Sequence, residues 1–137
     1  MPIWAYAWAV ALGTRQPLKP VVWVRSSKND LKRFPRTAQS HLGFALKVAQ
    51  SGGKHPDAKP MRGFGGAGVI EIVEDYDGDS YRAVYTVKYA EAIYVLHAFQ
   101  KKSKSGIATT KHDLKLIEER LRRAKELHAL RIYEKAK

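Results

Sequence analysis

Three groups of residues in this chain have the types and spacing to handle a phosphate. The densest is His97-Ala98-Phe99-Gln100-Lys101-Lys102-Ser103-Lys104-Ser105-Gly106, with three lysines in four residues and no acid until Asp113. Cations packed so closely repel one another unless an anion sits among them. A lysine run is usually a solvated loop. Here a histidine, an aromatic and the start of a helix adjoin it, and free N–H groups at a helix start also attract phosphate. The second group is Tyr81-Arg82-Ala83-Val84-Tyr85, a strand in which a charged side chain needs a ligand or a partner. Glu71 or Glu74 could be that partner. The third is the stretch 54–68, rich in Gly and Pro, which carries Lys54, His55, Lys59 and Arg62.

The chemistry that unites these groups is RNA cleavage by attack of a ribose 2′-OH on the adjacent phosphate. That step needs a base for the hydroxyl, cations for the phosphate oxygens and an acid for the departing 5′-oxygen. Histidine exchanges protons near neutral pH, so His97 fits the first or last role. On a strand with Ile93, Val95 and Phe99, it reads equally well as a satisfied core histidine. Arg82 suits the phosphate through its bidentate fork. Lys101 and Lys102 can stabilise charge, or donate a proton if crowding lowers their pKa. Tyr85 and Phe99 can stack on an unpaired base.

These residues must be held by a small α+β fold. The segment Ile3–Ala11 alternates large and small residues and reads as a strand, and Val21–Val24 reads as a short one. A short helix is expected from Ser26 or Ser27 to about Phe34, ended by Pro35. A second, Arg36–Ala49, would bury Ala38, Leu42, Ala45, Leu46 and Ala49. Strands are expected at Val69–Tyr76, Tyr81–Tyr89 and Ile93–Phe99. The first two flank the hairpin signal Asp77-Gly78-Asp79, and all three form an antiparallel meander. Thr110 stands three residues before Asp113, a capping-box-like helix start. That closing helix carries an apolar stripe, Leu114, Ile117, Leu121 and Ala124, with Arg120, Arg122, Arg123 and Lys125 on its outer face. Two helices, an antiparallel sheet and a closing helix make an α+β order.

Size and charge narrow the classes. The 137 residues fit one domain, and 45% apolar residues suffice for a core. A net charge of +12 favours a polyanionic partner. With no cysteine, disulfides, thiolate metal sites and cysteine nucleophiles are excluded. No stretch approaches the roughly 20 apolar residues of a membrane span. The apolar N-terminal run lacks the preceding cations of a secretory signal. The chain therefore reads as cytoplasmic, with no membrane partner. No closely spaced His/Asp/Glu set points to a metal, and no cofactor is expected. Gly63, Gly65, Gly66 and Gly68 are not followed by the Lys-Ser or Lys-Thr of a phosphate-binding loop, so they read as turn glycines.

Three stretches resemble a known family: Asp57-Ala58-Lys59-Pro60 through Gly63, Tyr81-Arg82-Ala83-Val84-Tyr85, and Ala92-Ile93-Tyr94-Val95-Leu96-His97-Ala98-Phe99-Gln100-Lys101-Lys102-Ser103. They are similar to the phage-derived, HigB-like branch of RelE/ParE toxins from type II toxin–antitoxin systems. The resemblance spans roughly 20–130, leaving an N-terminal extension at 1–19 and a basic tail at 131–137. It implies a compact fold like that of microbial RNases, with a concave basic sheet. The implied activity is a ribosome-dependent mRNA endoribonuclease that inhibits translation. Partners would be mRNA on the ribosome, with rRNA contacts, and a cognate antitoxin, a helix-turn-helix protein. Carried over, Arg82 binds phosphate, Lys101, Lys102 and Lys104 form the basic loop, and His97 moves protons. Lys59, Arg62, Tyr85, Phe99, Gln100 and Lys104 would contact RNA. RelE-type members carry lysines on the strand where this chain has Glu71. Two competing readings are a ParE-like gyrase poison and a basic nucleic-acid-binding protein without catalysis.

Overall fold

The computed structural model describes residues 17–101 and 109–137. The expected strand at 3–11, and Lys102 and Lys104, lie outside them. In chain order the elements are β1 (Val21–Trp23), α1 (Ser27–Lys32), α2 (Arg36–Gln50), β2 (Lys59–Pro60), β3 (Val69–Tyr76), β4 (Asp79–Thr86), β5 (Ile93–Lys101) and α3 (Lys111–Ala136). The fold is α+β, with one five-stranded sheet in the order β1-β5-β4-β3-β2. The expected meander is β3-β4-β5. Two corrections apply to the expected sheet. The edge strand β1 runs parallel to β5, pairing Val21 with Ile93 and Trp23 with Val95. The stretch 54–68, expected to be all loop, contributes β2, which pairs antiparallel with β3.

The hairpin between β3 and β4 is tighter than the three-residue signal implied. Asp77 (φ 52°) and Gly78 (φ 84°) alone link Tyr76 to Asp79. Positive φ at both central residues matches the right-handed twist of the strands. β4 ends at Thr86 and not at Tyr89, because the Thr86 hydroxyl and the Val87 N–H turn to the carbonyls of Ala67 and Gly68. Gly68 (φ 63°) passes so close to this turn that a Cβ would lie 3.0 Å from the Lys88 nitrogen. Only glycine fits there.

The sheet carries an apolar layer on each face. On one side, Leu31 and Phe34 with Ala38, Leu42, Ala45, Leu46 and Ala49 of α2 pack on Ile70, Ile72, Ala83, Tyr85, Ile93 and Val95. The stripe expected for α2 is buried in full. On the other side, Ile117 and Ala124 of α3 pack on Val84, Tyr94, Leu96 and Phe99. Thr110 caps α3, its hydroxyl accepting the Asp113 N–H at 3.1 Å. The helix continues through Ala136, so 131–136 extend it instead of forming a tail. Beyond the buried His128 it outruns the sheet, and Leu130, Ile132 and Tyr133 are exposed.

Alternation along β5 breaks once. Val84 pairs with His97 but Tyr85 pairs with Val95, leaving Leu96 as an extra residue. Such a bulge reverses the facing of everything beyond it. Ile93 and Val95 face α2, whereas Leu96, His97 and Phe99 face α3. The bulge thus turns His97 and Phe99 to the α3 side, away from Ile93 and Val95.

Candidate functional site

α3 packs chiefly along β5, and its N-terminal end leaves part of the sheet face over β2 and β3 uncovered. The strand register sets what is displayed there. Lys59 pairs with Glu71 across β2 and β3, Glu71 with Val84, and Arg82 with Val73 and Phe99. Paired residues share a face, so Lys59, Glu71, Arg82 and Phe99 project to the same side. With Arg62 after β2, Thr109 before α3 and Leu114 in its first turns, Lys59, Glu71 and Arg82 border a cleft of about 580 Å³ that Pro60 and Met61 also line. That volume is in the range of sites that hold a small ligand or a piece of a larger one.

Three cations and one carboxylate line this cleft. Arg82 is buried at its base, its Nη1 lying 3.5 Å from Glu71 and donating to the Thr109 hydroxyl at 3.4 Å. Of the two acids weighed as partners for Arg82, Glu71 is the one on its face. Glu74 points to the other side of the sheet, toward His41. Lys59 and Arg62 are exposed at the rim. Lys101 ends β5 on the Arg82 side, opposite Ser80. A buried guanidinium flanked by exposed cations can hold phosphate oxygens. Glu71 is the one described cleft residue able to accept a proton. Sequence reading cast it as a salt-bridge partner only. Its place in Val69-Glu71-Val73, between two residues that face the sheet's α3 side, was the signal that could have found it.

His97 lies outside this cleft. Its side chain is buried, stacked on Phe99 with ring centres 4.7 Å apart. Nε2 donates to Asp113 at 2.9 Å, and Nδ1 accepts from Arg120 Nη1 at 3.0 Å. Each bond is satisfied by the neutral ring. Burial is the main cause holding the His97 pKa below its ordinary 6.5, with the Arg120 charge adding to it against the pull of Asp113. Burial alone would push Asp113 up, but its hydrogen bonds to His97 and Thr110 outweigh this and leave it below 3.8. Arg120 was expected on the outer face of α3. Instead it turns inward to the Leu96 carbonyl, His97 and the Ser26 hydroxyl, pairing the carbonyl of the bulged residue. His97 thus ties the start of α3 to the sheet and positions the cleft wall.

A stability consequence follows. A histidine with a lowered folded pKa binds a proton more readily when unfolded, so it stabilises the fold above the unfolded pKa. As pH falls through 6.5 toward the folded pKa, that contribution is lost. Urea unfolding between about pH 7.5 and about pH 5 should therefore show a shallower loss of stability in His97→Gln than in the parent. The difference should reach at most ~1.4 kcal/mol per pH unit, the value for one proton. Equal slopes would show that folding does not shift the His97 pKa.

Two of the expected RNA contacts are displaced. Tyr85 is 1% exposed on the α2 side, where burial pushes its hydroxyl up to about 12, and it cannot stack on a base. Gln100 is exposed on that side too, bonded to Asp79. Phe99 faces the cleft side but spends its ring face on His97. Folding also brings His41 of α2 beside His55 and Asp57 of the loop before β2.

The class defined by these features is a basic α+β protein with an arginine–glutamate cleft between a sheet face and a helix N-terminus. The family model of the phage-derived protein Gp49-like (DUF891) matches residues 29–122, and the chain belongs to that family. The match takes in Glu71, Arg82, His97, Asp113 and Arg120. No curated protein and no solved structure matches the chain. No helix among the described residues is long and apolar enough to cross a membrane.

Proposed function

We propose that this chain is the toxin of a type II toxin–antitoxin pair, an endoribonuclease that cuts mRNA on the ribosome and is silenced by a partner antitoxin. The observation that carries this reading is the cleft in which Arg82, Lys59 and Arg62 converge on Glu71. Membership of the Gp49-like family is consistent with a toxin. The net charge of +12 suits contacts with rRNA as well as mRNA.

In this reading the Glu71 carboxylate takes the proton of a ribose 2′-OH. The bond from O2′ to phosphorus forms as the bond to O5′ breaks, giving a cyclic phosphate and a free 5′-hydroxyl end. Arg82 and the rim cations Lys59 and Arg62 stabilise the charge that builds on the phosphate oxygens. A lysine of the run Lys101, Lys102 and Lys104 returns a proton to O5′. His97 keeps the role of positioning residue.

Induction in a bacterial cell without the antitoxin tests the reading. Growth should stop with translation, and mapped 5′ ends should show new 5′-hydroxyl termini inside reading frames. Growth arrest with intact mRNA and inhibited gyrase would establish the gyrase-poison reading instead. Unimpaired growth would leave a non-toxic binding protein.

A further inference from the structure

At the β2–β3 edge of the sheet, α2, the loop before β2 and the strand β3 meet at His41, His55, Asp57 and Glu74. One ring nitrogen from each histidine and a carboxylate oxygen of Asp57 lie within 4.8 Å of one another. His41 Nε2 is 3.0 Å from Asp57 Oδ2, and His55 Nδ1 is 3.9 Å from the same oxygen. Neighbouring ligands of a tetrahedral ion bound at ~2.0–2.1 Å sit ~3.3 Å apart. The two spacings bracket that value. His55 Nδ1 accepts the Asp57 N–H at 3.0 Å, a bond that an ion on Nδ1 would have to displace.

His41 supplies the decisive feature. Both its nitrogens face carboxylates, Nε2 toward Asp57 and Nδ1 toward Glu74. A neutral imidazole has one N–H and cannot serve both. Nδ1 is buried beside Glu74. In the neutral tautomer that places its proton there, shared with Glu74, the Nε2 lone pair faces the Asp57 oxygen. Two acceptors then oppose each other at hydrogen-bond distance, which a cation between them relieves. A carboxylate behind a histidine is also how metal-ligating imidazoles are oriented.

We propose that His41, His55 and Asp57 bind a divalent transition-metal ion of the zinc class, with Glu74 orienting His41. Two imidazoles and a carboxylate suit Zn²⁺ better than Mg²⁺ or Ca²⁺, which prefer oxygen ligands. The ion would join α2 to the loop that delivers β2. Asp57 also borders the hollow that holds Lys59, Glu71 and Arg82, so the site adjoins the cleft, but the proposal does not depend on the RNA reading.

The test uses the full chain, stripped with a chelator and titrated calorimetrically with ZnCl₂, with MgCl₂ as control. One Zn²⁺ should bind per chain, Mg²⁺ should not, and Co²⁺ should give the visible absorption of a tetrahedral site. His55→Gln and Asp57→Asn should abolish stoichiometric binding. Asp57 is exposed, so its replacement leaves the fold intact. Glu74→Gln should weaken binding ~10–100-fold, as expected for an orienting carboxylate. Replacing the exposed His112 by Gln should change nothing. Absence of saturable Zn²⁺ binding overturns the proposal and leaves His41 as a hydrogen-bonding bridge between Asp57 and Glu74. Binding that survives Asp57→Asn and His55→Gln overturns it equally.

Discussion

Replacing Glu71 by Gln should lower RNA cleavage by about 10²–10⁴, the scale of one general base, while RNA binding persists or tightens. Glutamine keeps the size of the side chain and can still accept a hydrogen bond from Arg82, whose Nη1 lies 3.5 Å from the carboxylate. What it loses is the capacity to take a proton, and with it a negative charge beside the phosphate. Removing that charge favours a polyanion, so affinity should not fall. Single-turnover cleavage on programmed ribosomes measures the rate, and a filter-binding titration measures the affinity. The parent should arrest growth on induction and the variant should not. Cleavage at the parental rate would remove Glu71 from the chemistry and leave the base among the lysines that follow β5.

Replacing Arg82 by Ala should cost both steps. A donor aimed at the charge that develops in a transition state is worth about 10²–10³ in rate. One phosphate contact fewer should also lower affinity and reduce the slope of log affinity against log salt by about 0.7 for single-stranded RNA. The competing outcome is structural. Breaking one side of a fully buried ion pair costs about 3–5 kcal/mol. Here the Glu71 side chain is 23% exposed and borders the open cleft, so water can solvate it once Arg82 is gone. The stability loss should fall below that range, and the variant should remain folded by circular dichroism. A loss of 3–5 kcal/mol or more with an unchanged salt slope would make Arg82 a core partner of Glu71 and nothing further. The two substitutions together separate the roles. Arg82→Ala weakens binding whether or not Glu71 is present, while Glu71→Gln spares it.

Much of the fold was legible locally. The α2 stripe from Ala38 to Ala49 is buried as its three- and four-residue spacing required, since one helical face must meet the sheet. The Asp77-Gly78 turn and the Thr110 cap were readable because each acts within three residues. Arg82 was legible too, as a charge in a strand too apolar to leave it without a partner.

Other features depended on which distant segments meet. One inserted residue at Leu96 turned His97 and Phe99 away from Ile93 and Val95, and period-two reading has no term for a bulge. Tyr85 and Arg82 lie three residues apart on one strand, so they face opposite layers, and burial decided which could meet RNA. Helical spacing left Arg120 on the outer face of α3. Its bonds to Leu96, His97 and Ser26 span up to 94 positions of chain. The same holds for Glu71 with Arg82, and for His41 with His55, Asp57 and Glu74. Residue types and local periods fix which faces are apolar and where elements begin. Side chains on different elements meet only once strand register and helix docking are set, and those are chosen by the packing of the whole chain.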